Sequence, residues 1–331
     1  MKDKIINKFQ QNRNTIISLS LIVIVTLFYL MISNNAYYIT LFVFCSIYVI
    51  AVSGLDILFG YTGQISLGHA MFMGIGAYTS SLLSVNYSIP VWIGIFAGMS
   101  LSVIFAAIIA IPASKLVHQF LSLLTIATSN MVYVFLSKSR ITGAMTGVKN
   151  IPGVSFWIFD LEQKKNFGLF ILIMVILFLF IKTRLVDSST GRSFLAIREN
   201  LTAADGVGIN VRKYKVIAFV ISAIFASFAG SMYAHFVGYI SPDSFQNTQS
   251  VMLLTMLLFG GSGNLIGPVV GATTITLINE TLQSFNTYKT LIYGSVILIA
   301  VLFLPRGLYG LSIDLYNKLR VKKQRIKDVE S

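Results

Sequence analysis

One polar stretch interrupts an otherwise apolar chain: residues 182–215 read KTRLVDSSTGRSFLAIRENLTAADGVGINVRKYK. An apolar run ends just before it, near Ile181, and another begins just after it, near Val216. Charged and apolar residues alternate within the stretch, so it suits a membrane surface better than the hydrocarbon interior. It therefore separates two sets of membrane spans, and it is where a soluble partner would act on the protein.

The composition excludes an ordinary water-soluble globule. Of the 331 residues, 55% are hydrophobic and 11% are charged, and the mean hydropathy is +0.78. So few charges cannot cover the surface of a body of this size in water. We predict an all-α, polytopic integral membrane protein in which residues 1–331 form a single transmembrane domain. The chain has one cysteine, Cys45, so it cannot form an internal disulfide or a thiolate metal cluster.

The hydropathy pattern predicts about ten transmembrane helices, because apolar runs near the length needed to cross a bilayer recur along the chain. They lie at residues 16–33, 37–58, 64–84, 89–111, 119–137, 167–182, 216–237, 249–262, 267–284 and 289–304. The run at 249–262 is short, and the sequence leaves open whether it crosses the membrane or re-enters it.

The distribution of Lys and Arg predicts the orientation. With the N-terminus inside, the inner segments hold 19 of the 25 basic residues and the outer segments hold 6. We therefore expect both termini in the cytoplasm, with residues 183–215 as a cytoplasmic loop and residues 305–331 as a basic cytoplasmic tail. The net charge of +13 then reflects topology. Nucleic-acid binding is disfavoured, because the basic residues flank spans and form no groove lined with aromatic side chains.

Small residues at four-residue spacing predict where helices pack closely in lipid. Three such ladders occur, Ser66-Ala70-Gly74, Ala226-Gly230-Ala234 and Gly263-Gly267-Gly271. A weak internal echo accompanies them, since Phe59-Gly60-x-x-Gly63 and Phe259-Gly260-x-x-Gly263 lie 200 residues apart. The echo would suit a duplicated transporter core.

Polar groups within spans are costly, and they are paired or face water. The uncharged ones that could line a translocation path are Gln64, Ser66, Thr125, Thr128 and Asn130. Each could equally hydrogen-bond to a neighbouring helix. We expect His69 to be packed and hydrogen-bonded, and Asp56 and Glu280 to be solvated near the interfaces. The spans contain no row of carboxylates or histidines, which argues against a proton-driven carrier.

The polar stretch itself predicts a surface helix. Ser189 or Thr190 can cap it, and Gly206 and Gly208 can end it. Its apolar face would be formed by Phe194, Ile197, Leu201, Ala204 and Gly208, and its polar faces by Arg192, Arg198, Glu199, Thr202 and Asp205. Such a helix, with small residues near its end, can enter a groove on a soluble partner or rest on lipid headgroups.

Enzymatic motifs are missing from the sequence. It contains no nucleophile elbow, no His-Glu-x-x-His and no Gly-x-x-x-x-Gly-Lys-Ser/Thr loop, so the chain should bind neither a catalytic metal nor ATP in the P-loop manner. If transport uses ATP, another subunit must supply it.

Several segments carry a family resemblance. Thr202-Ala203-Ala204-Asp205-Gly206-Val207-Gly208 resembles the Glu-Ala-Ala-x-x-x-Gly coupling motif of ABC importer permeases, with Thr202 in place of the glutamate. The branched-chain amino acid permease family, in particular its M-type subunit, is similar over residues 191–200 and 208–210, GYTGQISLGHA at 60–70, YISPDSF at 239–245 and GGSGNLIGP at 260–268. The resemblance extends from about residue 37 to residue 310.

This resemblance implies an ABC importer permease fold in the bacterial cell (inner) membrane. Members pair with a homologous second permease, two cytoplasmic subunits that bind ATP and Mg, and an extracytoplasmic substrate-binding protein, and they import leucine, isoleucine and valine by alternating access. The residues implied in ATPase coupling are Phe194, Ile197, Arg198, Glu199, Leu201, Thr202, Ala203, Ala204, Asp205, Gly206 and Gly208. The Thr202 departure puts only the glutamate's salt-bridging role in doubt.

Two alternatives stay open from the sequence. One is an ABC permease for urea or another small polar solute, since urea permeases share these motifs. The other is an ATP-independent channel or carrier, which would need a selectivity ring or an ion-coupling site that the sequence does not display.

Overall fold

The computed structural model describes residues 35–114, 118–154 and 163–282, together with 294, 295, 307, 308 and 310. Between residues 35 and 282 the described chain forms ten α-helices and two short 3-10 turns, at Ala144–Thr146 and Pro242–Phe245. The helices are α1 (Ala36–Thr62), α2 (His69–Tyr87), α3 (Val91–Ala113), α4 (His118–Lys138), α5 (Lys164–Asp187), α6 (Ser189–Glu199), α7 (Leu201–Gly206), α8 (Val211–Val237), α9 (Asn247–Gly260) and α10 (Ile266–Thr281). The β-structure of the described residues is one isolated bridge, between Val148 and Ile240.

The helices coincide with the predicted spans wherever the structure describes the chain. Eight of the spans correspond to α1–α5 and α8–α10. The span at 16–33, nearly all of the one at 289–304 and most of the 305–331 tail lie outside the described residues. Five helices, α1, α3, α4, α5 and α8, are long and apolar enough to cross a membrane. With 14 and 16 residues, α9 and α10 fall short of the roughly 20 residues of a full crossing. The protein is therefore a multi-pass helical membrane protein, and the number ten stays a prediction.

The start of the predicted third span is wrong. A helix was expected from residue 64, but residues 63–68 are irregular and α2 begins at His69. The cause is local, because Gly63 adopts a left-handed conformation (φ 71°) and its N–H closes the last turn of α1. Buried irregular backbone needs other hydrogen-bond partners. The N–H of Leu67 finds one in Thr125 Oγ1 of α4, at 3.2 Å.

Close backbone contact holds the centre of the bundle together. A Cβ built at Gly230 of α8 would collide with the carbonyl oxygen of Met73 in α2. A Cβ built at Gly271 of α10 would likewise collide with the carbonyl oxygen of Met256 in α9. A Cβ at Gly267 would collide with the carbonyl oxygen of Gly261, which follows α9. Gly74 differs, since it packs against the ring of Phe245 with more room.

Contacts between helices also fix which ends lie together. The α1 and α8 helices are antiparallel, because Phe44 packs on Phe236 near one end and Gln64 hydrogen-bonds the carbonyl of Lys215 near the other. The α5 helix runs parallel to α1 and meets it at its last turns. The α6 and α7 helices therefore lie where α1 and α5 finish and α8 starts, which we call the α7 end. The bridge between Val148 and Ile240 lies at the opposite end, which we call the far end.

Candidate functional site

The polar stretch at the α7 end folds as two helices, and the prediction of one continuous helix is wrong. The hydroxyl of Ser188 caps α6 by accepting from the N–H of Gly191. Asn200 is extended (φ −158°, ψ 114°), which ends α6. Its Oδ1 then accepts from the N–H groups of Thr202 and Ala203, both at 3.0 Å, and so starts α7. Asn favours this capping role over a mid-helix position because its side chain competes for backbone hydrogen bonds.

The apolar face of these helices packs against the membrane helices of the same chain. Phe194 and Ile197 are fully buried, and the Phe194 ring meets that of Tyr214 in α8 edge-on. Ala204 is only 2% exposed. Ala204 was named among the ATPase-coupling residues from the motif alone; its side chain is covered within the chain, and its role in coupling stays a prediction. Gly208, expected on the same face, is exposed.

The exposed surface of α7 consists of other residues. It presents Thr202, Ala203, Asp205, Gly206, Val207 and Gly208. Val207 is 77% exposed, and the sequence interpretation missed it, although an apolar side chain between two glycines was the available signal. Added Cβ atoms at Gly206 and Gly208 would meet nothing within 4 Å. We call the exposed residues 202, 203 and 205–208 the α7 tip.

An open groove of about 720 Å³ runs beside the α7 tip. The side chains of Thr202, Asp205 and Arg212 line it, and Ser114 at the end of α3 closes one side. The tip therefore combines a small protruding surface with an adjacent depression, which is a shape that a folded partner can engage. Leu201, at the base of α7, is partly buried, and Glu199 is exposed at the end of α6.

Arg198 is exposed, but its guanidinium also contacts the end of α1. Its Nη1 donates a hydrogen bond to the carbonyl oxygen of Gly60 in the last turn of α1. The same guanidinium lies beside Gly263, in the turn between α9 and α10. Arg198 was predicted among the ATPase-coupling residues from the motif alone, and the structure adds that its contacts are within the chain.

A buried ion pair lies close to Arg198. Lys182 Nζ is 2.7 Å from Asp56 Oδ2, and the two side chains are 1% and 0% exposed. The expectation that Asp56 is solvated is therefore wrong, because α1 continues past it and α5 covers it. The sequence interpretation counted Lys182 as a loop charge and missed the pair, although a carboxylate inside a span calls for a partner.

The other ionisable side chains considered, His69 and Glu280, are hydrogen-bonded within the chain. His69 is fully buried with its Nε2 2.9 Å from Ser222 Oγ, so it is packed and hydrogen-bonded as expected. Glu280 is partly buried and accepts a hydrogen bond from the hydroxyl of Tyr37 at 3.1 Å. Within the described ranges, no three His, Cys, Asp or Glu side chains cluster as metal ligands would.

Three of the five candidate path residues lie together around the irregular segment 63–68. Gln64 Nε2 donates to Thr62 Oγ1 at 2.8 Å and reaches the carbonyl of Lys215 at 3.4 Å. Ser66 is fully buried, and its hydroxyl has no hydrogen-bond partner among the described residues. Thr125 holds the backbone of the segment. These groups are uncharged and lie between α1, α4 and α8.

The other two candidates are separate. The hydroxyl of Thr128 donates to the carbonyl of Leu124 at 2.9 Å, so it is satisfied within its own helix. Asn130 is exposed, and its Oδ1 accepts from Asn247 Nδ2 at 2.7 Å, which ties α4 to the start of α9. The five residues therefore form no single cluster.

Known proteins resemble this chain over most of its length. The family model described as branched-chain amino acid transport system / permease component matches residues 37–303. The high-affinity branched-chain amino acid transport system permease protein LivM of Escherichia coli (strain K12) is 29% identical over 288 residues, which cover 79% of this chain and 67% of LivM.

Two further proteins are less similar. The autoinducer 2 import system permease protein LsrC of Enterobacter sp. (strain 638) is 32% identical over 154 residues, which cover 44% of this chain and 45% of LsrC. The solved structure of PsaBC from Streptococcus pneumoniae in complex with Fab aligns with a TM-score of 0.39 at 16% identity, over 84% of this chain and 95% of that chain, and we base no conclusion on it.

Proposed function

This chain belongs to the branched-chain amino acid transport system permease family, and from that membership we propose that it is one half of the pore of an ATP-driven importer of leucine, isoleucine and valine. It works by alternating access, and the ATP and Mg are bound by partner subunits. The complex contains this chain, a homologous second permease, two ATPase subunits and an extracytoplasmic substrate-binding protein in a bacterial cell (inner) membrane.

The α7 tip is the observation that carries the proposal. It is a protruding surface of small side chains and one exposed valine, Val207, beside an open groove. The preceding helix α6 anchors it to the membrane helices through the buried side chains of Phe194 and Ile197. A surface element with both properties can receive a push from a soluble ATPase and pass it to the spans. The α7 end then faces the cytoplasm, and residues 183–215 form the coupling loop.

The polar group at residues 63–68 supports a neutral, weakly binding path. Gln64, Ser66 and Thr125 offer hydroxyl and amide groups without a fixed charge. Cargo must leave a pore as readily as it enters, so weak contacts serve transport better than strong ones. The substrate's ammonium and carboxylate would instead be held by the extracytoplasmic protein.

The substrate is tested by uptake in cells. In a strain that lacks this chain, we expect loss of high-affinity uptake of labelled leucine, competition by isoleucine and valine in the parent strain, and recovery with the cloned gene. Normal leucine uptake together with lost urea uptake would replace the amino-acid proposal by the urea alternative. Leucine uptake that survives ATP depletion would instead favour a channel or carrier.

The orientation has its own test. Single cysteines at Lys149 and Asp243, in a Cys45→Ser background, should react with an impermeant thiol reagent in intact cells, and one at Arg192 should react only after permeabilisation. These positions lie at opposite ends of the described structure. Labelling of position 192 in intact cells would reverse the orientation and remove the α7 tip from the ATPase side.

A further inference from the structure

The buried ion pair between α1 and α5 also holds a third element. The second carboxylate oxygen of Asp56 accepts the N–H of Gly263 at 2.7 Å. Lys182 Nζ donates to the carbonyl of Asn264 at 3.0 Å, in addition to its bond with Asp56. Both members of the pair are therefore bonded to the turn that joins α9 to α10.

Arg198 of α6 contacts the same place from the surface. Its guanidinium bonds the carbonyl of Gly60, and a Cβ built at Gly263 would lie 2.9 Å from its Nη1. Gly60 and Gly263 themselves touch, since a Cβ at Gly60 would collide with Asp56 and come within 2.5 Å of the Gly263 nitrogen. The two Phe-Gly-x-x-Gly segments of the sequence thus meet here, between the ion pair and the α6 arginine.

Stability alone does not account for this arrangement. A buried ion pair pays a large desolvation cost, and replacing both charges with apolar side chains of similar size is often neutral or stabilising. What apolar side chains cannot do is hold the backbone of a turn by directed hydrogen bonds. The charges therefore fix the position of the turn relative to α1 and α5. Ionisable residues within membrane spans are generally functional, which supports a role beyond stability.

We propose that Asp56, Lys182 and Arg198 are positioning residues for coupling, and that they form a joint through which α6 moves α1 and the α9–α10 pair as one body. The proposal rests on the proposed function, because it needs a partner ATPase that displaces α7. Through Arg198, displacement of α6 acts on the last turn of α1 at Gly60. Through Asp56 and Lys182 it acts on Gly263 and Asn264. Coupling through the joint must therefore appear both in stimulated ATP hydrolysis and in substrate uptake.

The test uses the purified complex with its partner subunits in liposomes. We expect Arg198→Gln and the double variant Asp56→Leu/Lys182→Met to assemble, and we expect the double variant to keep basal ATP hydrolysis. Stimulation of hydrolysis by the loaded binding protein, and substrate uptake, should each fall at least about tenfold, a loss equivalent to about 1.4 kcal/mol of coupling. Arg192→Gln is the matched control, since Arg192 is also an exposed arginine of α6, and its hydrogen bond within the described residues goes to the carbonyl of Asp187.

A charge swap separates the joint from a plain ion pair. Asp56→Lys/Lys182→Asp retains two opposite charges, but a lysine at position 56 cannot accept the N–H of Gly263. We expect the swapped variant to stay uncoupled. Full recovery of stimulation would mean that only the attraction between α1 and α5 counts, and it would overturn the role of the turn.

A distance measurement gives a readout that a purely structural role would not change. Spin labels are placed at Ser193 and Ser262 in a Cys45→Ser background. Trapping the complex with ATP should leave the distance between the labels unchanged in the wild-type protein, and it should change that distance in Arg198→Gln. Equal behaviour of the two proteins, wild-type stimulation in the variants, or loss of assembly in both variants would each reject the joint. A wild-type complex without substrate-stimulated hydrolysis would instead reject the proposed function.

Discussion

The α7 tip and the joint lie close together at the same end of the bundle, but they are built in opposite ways. The tip is made by neighbours in sequence, with Asn200 capping the helix that begins at the next residue by accepting the N–H of Thr202. The joint is made by groups far apart, since Asp56 and Lys182 are 126 residues distant and Asp56 and Gly263 are 207. The tip is exposed, whereas the ion pair of the joint is buried. A contact surface can therefore be formed by residues that are neighbours in sequence, whereas its connection to the pore depends on the complete fold.

The largest effect should come from leaving one charge of the joint unpaired. Asp56→Leu strands Lys182 in a fully buried site, which we expect to destabilise the protein by about 3 to 5 kcal/mol. Purified protein should show a much lower unfolding temperature in detergent. The double variant Asp56→Leu/Lys182→Met should recover most of the loss. If the single and double variants were equally unstable, the pair would not be isolated from water and its contrast with the tip would disappear.

A second prediction compares two adjacent alanines. Ala204 is buried against the permease, and Ala203 is exposed on the tip. Ala204→Arg forces a long charged side chain into a packed site, where overpacking alone costs about 1 to 3 kcal/mol, so the yield of assembled permease should fall. Ala203→Arg should assemble normally and lose uptake, because its side chain projects toward the partner.

The yield of membrane-inserted protein and the uptake rate, measured on both variants, decide this point. Normal uptake by Ala203→Arg would mean that the tip is only a surface feature. Normal assembly of Ala204→Arg would mean that α7 lifts away from the bundle.

The sequence predicted local features better than contacts between distant elements. The periodicity of Phe194 and Ile197 correctly predicted a buried helical face, and the helix ends at Gly206 as expected. The break at Asn200 was readable, because Asn followed by Leu-Thr-Ala-Ala is a plausible helix start. The motif that assigned Ala204 to coupling does not report that its side chain is buried within the chain. A helical period does not state which neighbour covers a face.

The joint and the path could not be derived from the sequence for a different reason. A hydropathy profile places Asp56 in a span and Lys182 at the edge of another, but it does not bring the two spans together. Likewise Thr125 and Thr128 look alike on one helix. Only the fold shows that Thr125 holds Leu67 of another segment while Thr128 bonds its own helix.

A third prediction extends the comparison to the path. Gln64→Leu removes hydrogen bonds to Thr62 and Lys215; a loss of about 1 kcal/mol in total should lower uptake roughly fivefold with assembly intact. Thr128→Val removes only a bond within α4 and should leave uptake unchanged. Initial rates of leucine uptake, normalised to inserted protein, measure both. Equal losses in the two variants would mean that the buried group at residues 63–68 has no special place in transport.

The smallest effect is expected at the charged side of the tip. Asp205 is exposed beside the groove, with Arg212 also lining it, and an exposed charge typically contributes under about 1 kcal/mol. Asp205→Ala should therefore leave uptake within about twofold of wild type, and Asp187→Ala, at another exposed carboxylate of the α7 end, is the matched control. Uptake should depend little on salt in either variant, because we propose that the tip engages an ATPase partner by shape. A tenfold loss confined to Asp205→Ala would show that the partner presents a buried positive charge to the tip. The function of the α7 tip would then depend on charge, as we propose for the joint.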